Sequence, residues 1–243
     1  MPAPLRRLTS RPRVAHPARM SRATHRPEIT PEIILRAYSV GLFPMAEHED
    51  DERLFWVDPE ERGVFPLGGL VVSRSLAKMV RSDRYEVSVD HDFDAVIEGC
   101  AHSGSERNRT WINARIRTIY RQLFDAGFVH TVECRRNGVL VGGLYGVAIG
   151  AAFFGESMFH LERDASKVAL VHLAARLIAG GYALLDTQFV TPHLASLGAV
   201  GIARAEYRRM LDSAIARSAH FHAWPKTERI SGAGALATLR TAA

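Results

Sequence analysis

Two runs of alternating residues, FVHTVECRR and VLVGGLYGVAI, flank Asn137-Gly138 and fix the centre of the chain. Alternation puts every second side chain on one face of a strand, and Asn-Gly supplies the two positive-φ positions of a two-residue turn, so a β-hairpin is predicted here. AAFFGESMF follows at once as a third strand. After a short polar loop, ASKVALVHLAARLIAGG is apolar enough to be a helix packed on that sheet, and YALLDTQF returns as a strand. The order is α/β (α+β), with antiparallel and crossover parts.

Upstream, Thr30-Pro31 reads as an N-cap and first helical position, with Ile33, Ile34, Ala37 and Tyr38 on one face until Gly41 stops the helix. RLFWVD (53–58) is predicted as a strand, and the Pro- and Gly-rich loop after it marks the end of a small N-terminal domain, 28–70. Ser73 caps a helix that carries Arg74, Lys78 and Arg81 at i, i+4 and i+7, hence on one stripe. YEVSV is a strand, DFDAVIEGCA a helix, and NARIRTIYRQLFDAG a longer helix closed by Gly127. The larger domain is expected over 71–218, with a tail over 219–243.

The formal charge of +5 is misleading until it is located. Seven of the 31 basic residues lie in residues 1–27, where there is no acid, leaving 24 basic against 26 acidic residues in the body. That Pro-, Arg- and Ser-rich segment is expected to be a disordered tail; it also suits a transit peptide or an overextended start ahead of Met20. Nucleic-acid contact must then come from local patches or from the tail acting as an arm. Two cysteines, Cys100 and Cys134, offer neither a disulfide framework nor a thiolate metal site, and a reducing cytoplasm fits them best. No apolar run approaches the ~20 residues of a membrane span.

Between Gly142 and Gly198 a few polar groups stand in otherwise apolar sequence: Glu156, Ser157, Lys167, Asp186 and Gln188. Buried polar groups need partners, so each asks for a reason. On a strand Asp186 and Gln188 project to the same side. An ionised Asp186 accepting from the Gln188 side-chain amide would turn the Gln carbonyl outward, able to draw a proton from an amine with pKa near ~7.7–8. The alternative is a buried hydrogen bond closing a strand end. Glu156, between Gly155 and Ser157, either receives a cation or pairs internally with Lys167.

Other constellations fail. Gly142, Gly143 and Gly146 lie inside strands, away from any strand-to-helix turn that would cradle phosphate. Arg135 to Leu140 resembles an acetyl-CoA pyrophosphate loop but lacks its last small residue and sits in a hairpin, which disfavours CoA. No cofactor is expected. His220 and His222 read as solvated surface histidines, no metal site is expected, and Ser157 has no base beside it.

The chain resembles the bacterial leucyl/phenylalanyl-tRNA protein transferases. The likeness covers about residues 30 to 212 and rests on AYSVGLFPM (37–45), WVDPEERGVFPL (56–67), SRSL (73–76), TWI (110–112), GGLYGVAIG (142–150), FFGESMF (153–159), ASKVAL (165–170) and LLDTQF…HLASLGA (184–199). The resemblance implies a small N-terminal domain plus an N-acetyltransferase-like (GNAT-like) domain with a mixed, mainly antiparallel sheet. It implies transfer of Leu or Phe, less readily Met, from aminoacyl-tRNA to the α-amine of proteins beginning with Arg or Lys, marking them for N-degron proteolysis by the Clp system. Asp186 and Gln188 would assist the proton transfer. Leu144 and Phe153 would wall the side-chain pocket, Glu156 and Ser157 would lie at the substrate, and Trp111 would stack near the 3′ adenosine. Many members carry Trp where this chain has Met45, which packs on adenine through its thioether or fills core. The Arg74, Lys78 and Arg81 stripe would meet acceptor-stem phosphates, its alternative being a solvated helix face. A monomer is expected. The competing functions are a CoA-dependent N-acyltransferase of similar fold and a non-catalytic tRNA-binding module.

Overall fold

The Asn137-Gly138 turn takes φ values of 51° and 79° and joins β5 (Val129–Arg136) to β6 (Val139–Ile149) as an antiparallel pair. In this computed structural model, which describes residues 29–46, 53–102 and 110–242, that hairpin forms the second and third strands of a seven-stranded main sheet. β7 (Ala152–His160) pairs antiparallel with β6, and β4 (Glu86–Val89) closes the other side of β5. The basic segment 1–27 lies outside the described residues.

The chain then crosses over. α5 (Ala165–Ala179) is buried along nearly its whole length, and β8 (Leu184–Gln188) returns parallel to β7. A parallel neighbour cannot be reached by a tight turn, and the helix supplies the crossover. The sheet order is β4-β5-β6-β7-β8-β3-β9, antiparallel throughout except for β7/β8. This is the mixed, mainly antiparallel α/β arrangement expected from the sequence.

Four elements differ from the sequence reading. β3 (Glu61–Phe65), read from sequence as part of the Pro- and Gly-rich loop that ends the N-terminal domain, is an interior strand of the main sheet, between β8 and β9 (Val200–Ala203). Its own residues explain this: Gly63, Val64 and Phe65 are buried. The expected C-terminal tail contains α8 (Gly232–Thr241), whose Ala235, Leu236 and Leu239 are buried, and α7 (Arg204–Ile215) follows β9. Neither β9 nor α7 carries a periodicity strong enough to have been singled out.

Helices cover both faces. α2 (Arg74–Arg81), α5 and α8 share one apolar core, while α1 (Pro31–Ser39), α3 (Phe93–His102), α4 (Ala114–Asp125) and α7 share the other. Ser73 caps α2 as expected, its Oγ accepting from Leu76 N at 3.2 Å, whereas Thr30 precedes α1 without a side-chain cap bond; at α4 Asn113 Oδ1 accepts from Ile116 N at 2.8 Å. β1 (Phe43–Met45) and β2 (Phe55–Val57) form a separate two-stranded ribbon. Among the described residues no helix is long and apolar enough to cross a membrane.

Candidate active site

Parallel pairing of β7 with β8 ends at Phe154↔Asp186, and a cavity of about 230 Å³ lies beyond it. Its apolar wall is built by Phe65, Leu144, Met158, Leu170, Leu173 and Leu185. Glu156, Ser157, Thr187 and Gln188 bring polar groups to it, with Thr191 and His193 from the start of α6 (Pro192–Ser196).

Two irregularities in the sheet create this polar end. In β6/β7 the register steps from Gly146↔Gly155 to Tyr145↔Ser157, so Glu156 is an extra residue without a partner across the ladder. In β3/β8 it steps from Val64↔Asp186 to Gly63↔Gln188, so Thr187 is extra. A bulge re-aims a side chain that regular alternation would send elsewhere. Gly63 permits the second one, because a Cβ there would come within 2.7 Å of the Phe189 backbone.

Glu156 is half-buried and surrounded by donors. The Tyr38 hydroxyl donates to Oε1 at 2.7 Å, Tyr120 to Oε2 at 3.2 Å, and the Gln188 side-chain amide to Oε1 at 3.4 Å. The Tyr38 and Tyr120 hydroxyl oxygens also lie 2.5 Å apart, in the same cluster. Burial pushes the Glu156 carboxyl up to about 7, the two tyrosine bonds opposing that rise and the nearby Asp186 adding to it. The pairing with Lys167 considered from sequence does not form: the Lys167 ammonium lies 2.9 Å from Asp164.

Asp186 faces the other way. It is fully buried, with Arg62 Nε at 2.9 Å from Oδ1, Arg62 Nη2 at 2.6 Å from Oδ2, and the Tyr207 hydroxyl donating to Oδ2 at 2.6 Å. Arg62 is itself buried, sandwiched between the Phe43 and Tyr207 rings at 4.5 and 4.6 Å, and donates to Gly41 O. Burial alone would lower the Arg62 guanidinium, but the Asp186 contact outweighs it and the net shift is upward. The remaining Asp186 bond goes to the Gln188 backbone N–H, 2.7 Å from Oδ1, and not to the Gln188 side-chain amide as the alternation implied. The reason is local: Gln188 takes φ +58°, which breaks the alternation and turns its side chain into the cavity.

Leu144 and Ser157 line the cavity, but Phe153 does not. It is fully buried in the core, stacked on Phe221 with centroids 5.8 Å apart and packed edge-on to Tyr182. The pocket wall it was expected to form comes from Leu170, Leu173 and Leu185 instead. Arg62, Tyr38, Tyr120 and Tyr207 were missed as site residues. Arg62 and Tyr38 sit inside sequence motifs already singled out, but their partners lie 124 and 118 residues away, a separation no spacing rule spans.

A protein-family model described as leucyl/phenylalanyl-tRNA protein transferase matches residues 64–212, and one for the N-terminal domain of the same transferase matches 27–60. Relatives named leucyl/phenylalanyl-tRNA–protein transferase include the following three. The one from Rhodopseudomonas palustris (strain TIE-1) is 58% identical over 87% of this chain and 94% of its own length. That from Afipia carboxidovorans is 56% identical over 90% and 97%, and that from Maricaulis maris 56% over 86% and 95%. The chain belongs to the leucyl/phenylalanyl-tRNA protein transferase family. It is an aminoacyltransferase.

Three other features of this transferase stand outside the cavity. Met45 and Trp111 are both half-buried against the core that holds Tyr38 and Tyr120, and Met45 pairs with Phe55 across the β1/β2 ribbon. Phe55 and Trp56 are 40% and 39% exposed, leaving aromatic surface on that ribbon. Arg74, Lys78 and Arg81 are all exposed on α2. His222, read from sequence as a free surface histidine, has Nε2 3.0 Å from Asp90.

Proposed function

We propose that this protein transfers Leu or Phe, and less readily Met, from aminoacyl-tRNA to the α-amine of proteins with N-terminal Arg or Lys, in the cytoplasm, so marking them for N-degron proteolysis. The observation that carries this reading is an apolar recess with a carboxylate and a carboxamide side by side at one end. An unbranched-at-β side chain fills the recess formed by Leu144, Met158, Leu170 and Leu185. Its ester carbonyl then sits beside Gln188 and Glu156.

The reaction makes one C–N bond and breaks one C–O bond. The neutral α-amine adds to the ester carbonyl, its proton passes to the Glu156–Gln188 pair, and that proton goes to the departing 3′ oxygen of the tRNA. An ester is already activated, so alignment is the main requirement, and positioning can supply about 7–11 kcal/mol of barrier reduction. Glu156, with its carboxyl near 7, is matched to exchange a proton with an amine. It also accepts from the Gln188 amide, which directs the Gln188 carbonyl oxygen toward the acceptor. Asp186 acts one step back, holding the Gln188 backbone.

The adenosine end of the donor is assigned to Trp111 with Met45, and the acceptor-stem phosphates to Arg74, Lys78 and Arg81. The full chain acts as a monomer and without a cofactor. The test is incubation with Leu-, Phe- or Met-tRNA, or with acetyl-CoA, and peptides beginning with Arg, Lys, Asp or Ala. Mass gain of Leu or Phe on the Arg and Lys peptides is the expected result. Acetylation would support a CoA-dependent enzyme instead, and tRNA binding without product a non-catalytic module.

A further inference from the structure

On the β4 edge of the sheet three ligating side chains meet, none of which lines the cavity. Asp90 directly follows β4, His130 belongs to β5, and His222 lies in the segment between α7 and α8. His130 Nδ1 is 2.8 Å and His222 Nε2 3.0 Å from the same oxygen, Asp90 Oδ2. All three donor atoms fall within 4.8 Å of one another.

Each donor is held by something outside the trio. The other Asp90 oxygen accepts the Thr131 backbone N–H at 2.8 Å, fixing the carboxylate plane. The His130 ring stacks face to face on Phe221, centroids 4.0 Å apart and planes 8° from parallel, and His222 packs edge-on to both rings. Asp90 and His130 are almost fully buried at 3% and 9% side-chain exposure, while His222 is 36% exposed and, with His130, lines an open groove. Orientation of ligands by such outer contacts is what a metal site requires beyond the ligands themselves.

We propose that Asp90, His130 and His222 form a binding site for a divalent transition ion of the zinc class. Two imidazole nitrogens and one carboxylate oxygen are the N/O set such ions prefer, and three protein ligands leave a fourth position for water from the groove. Donors around a tetrahedral zinc at ~2.1 Å stand about 3.4 Å apart, so the two contacts to Asp90, at 2.8 and 3.0 Å, need to open by about 0.4–0.6 Å. Each imidazole would bind through the nitrogen that now faces Asp90, with its N–H on the ring nitrogen that faces away from the ion. Lys226 opposes the ion, its ammonium 3.8 Å from the same Asp90 oxygen, but at 53% exposure it is free to swing into solvent.

The ion would join two parts of the chain. His222 lies beyond residue 212, where the family match ends, and its segment already docks through Arg176, which donates to Phe221 O at 3.0 Å and Trp224 O at 2.6 Å. A ligand that binds only the docked state stabilises it by RT ln(1 + [L]/Kd).

The test uses the full chain, stripped with a chelator and titrated with ZnCl2 under equilibrium dialysis, with thermal unfolding followed in parallel. The expected result is saturable binding and a raised Tm, with affinity lowered at least tenfold in His222→Ala and Asp90→Asn and raised in Lys226→Ala. His222→Ala alters a partly exposed side chain, so it keeps the test valid if Asp90→Asn fails to fold. Absence of saturable binding, or binding and Tm shifts unchanged in His222→Ala, would overturn the proposal.

Discussion

Asp186 Oδ1 accepts the Gln188 backbone N–H at 2.7 Å, while the Gln188 side chain turns away from Asp186 and meets Glu156. The carboxylate therefore acts on Gln188 through its backbone, holding it in the left-handed region at φ +58°. Asn at 186 keeps an oxygen for that N–H, and Ala does not. Asp186→Ala is expected to lower kcat at least tenfold more than Asp186→Asn, with KM for aminoacyl-tRNA little changed in either. Equal losses would mean that only the charge matters.

Arg62 and Asp186 are 1% and 0% exposed, so neither can exchange its partner for water. Arg62→Ala leaves a buried carboxylate uncompensated, and is expected to cost about 3–5 kcal/mol in urea unfolding. An apolar pair, Arg62→Met with Asp186→Leu, is expected to recover much of that loss without restoring transfer.

Glu156 ties activity and stability to the same pH window in opposite senses. Its folded carboxyl holds a proton up to about 7, whereas the unfolded chain releases it near the ordinary carboxylate value of 4.5. The folded state thus binds more protons between these values, and the stability from Glu156 is complete below the lower one and lost as pH rises through 7. The transfer rate is expected to rise through that upper inflection as the carboxylate forms. Glu156→Gln should remove both inflections, checked by rate and urea midpoint from pH 5 to 8.

A glutamine in the left-handed region is strained, by about 1–2 kcal/mol relative to a helical or extended conformation. Gln188→Gly is expected to relieve about 1 kcal/mol of this while abolishing transfer. A stabilised, inactive variant would separate the backbone requirement at this position from the chemical one.

The α2 stripe is tested by salt. If Arg74, Lys78 and Arg81 each neutralise one phosphate, replacing all three with Ala should reduce the slope of log affinity against log salt by about 2–3. An unchanged slope would return the stripe to an ordinary solvated helix face.

Most elements were legible because they follow local rules. The Asn137-Gly138 hairpin, the Ser73 cap and the apolar α5 are each written in consecutive residues. The site was partly legible: Glu156 and Gln188 stood out as polar groups in apolar sequence, and both reach the cavity. What failed was the assumption of regular alternation. One residue in excess on each of β7 and β8 changes which side chains share a face, and neither excess is visible without the partner strand. Arg62 escaped because its fork onto Asp186 closes a gap of 124 residues.

The unpaired residue in β7 also bears on redesign. Sequence optimisation aimed at a smoother ladder would shorten that strand by one position, which would restore regular pairing with β6. The resulting protein would be sturdier and inert, since the carboxylate reaches its cavity through the very imperfection that idealisation removes.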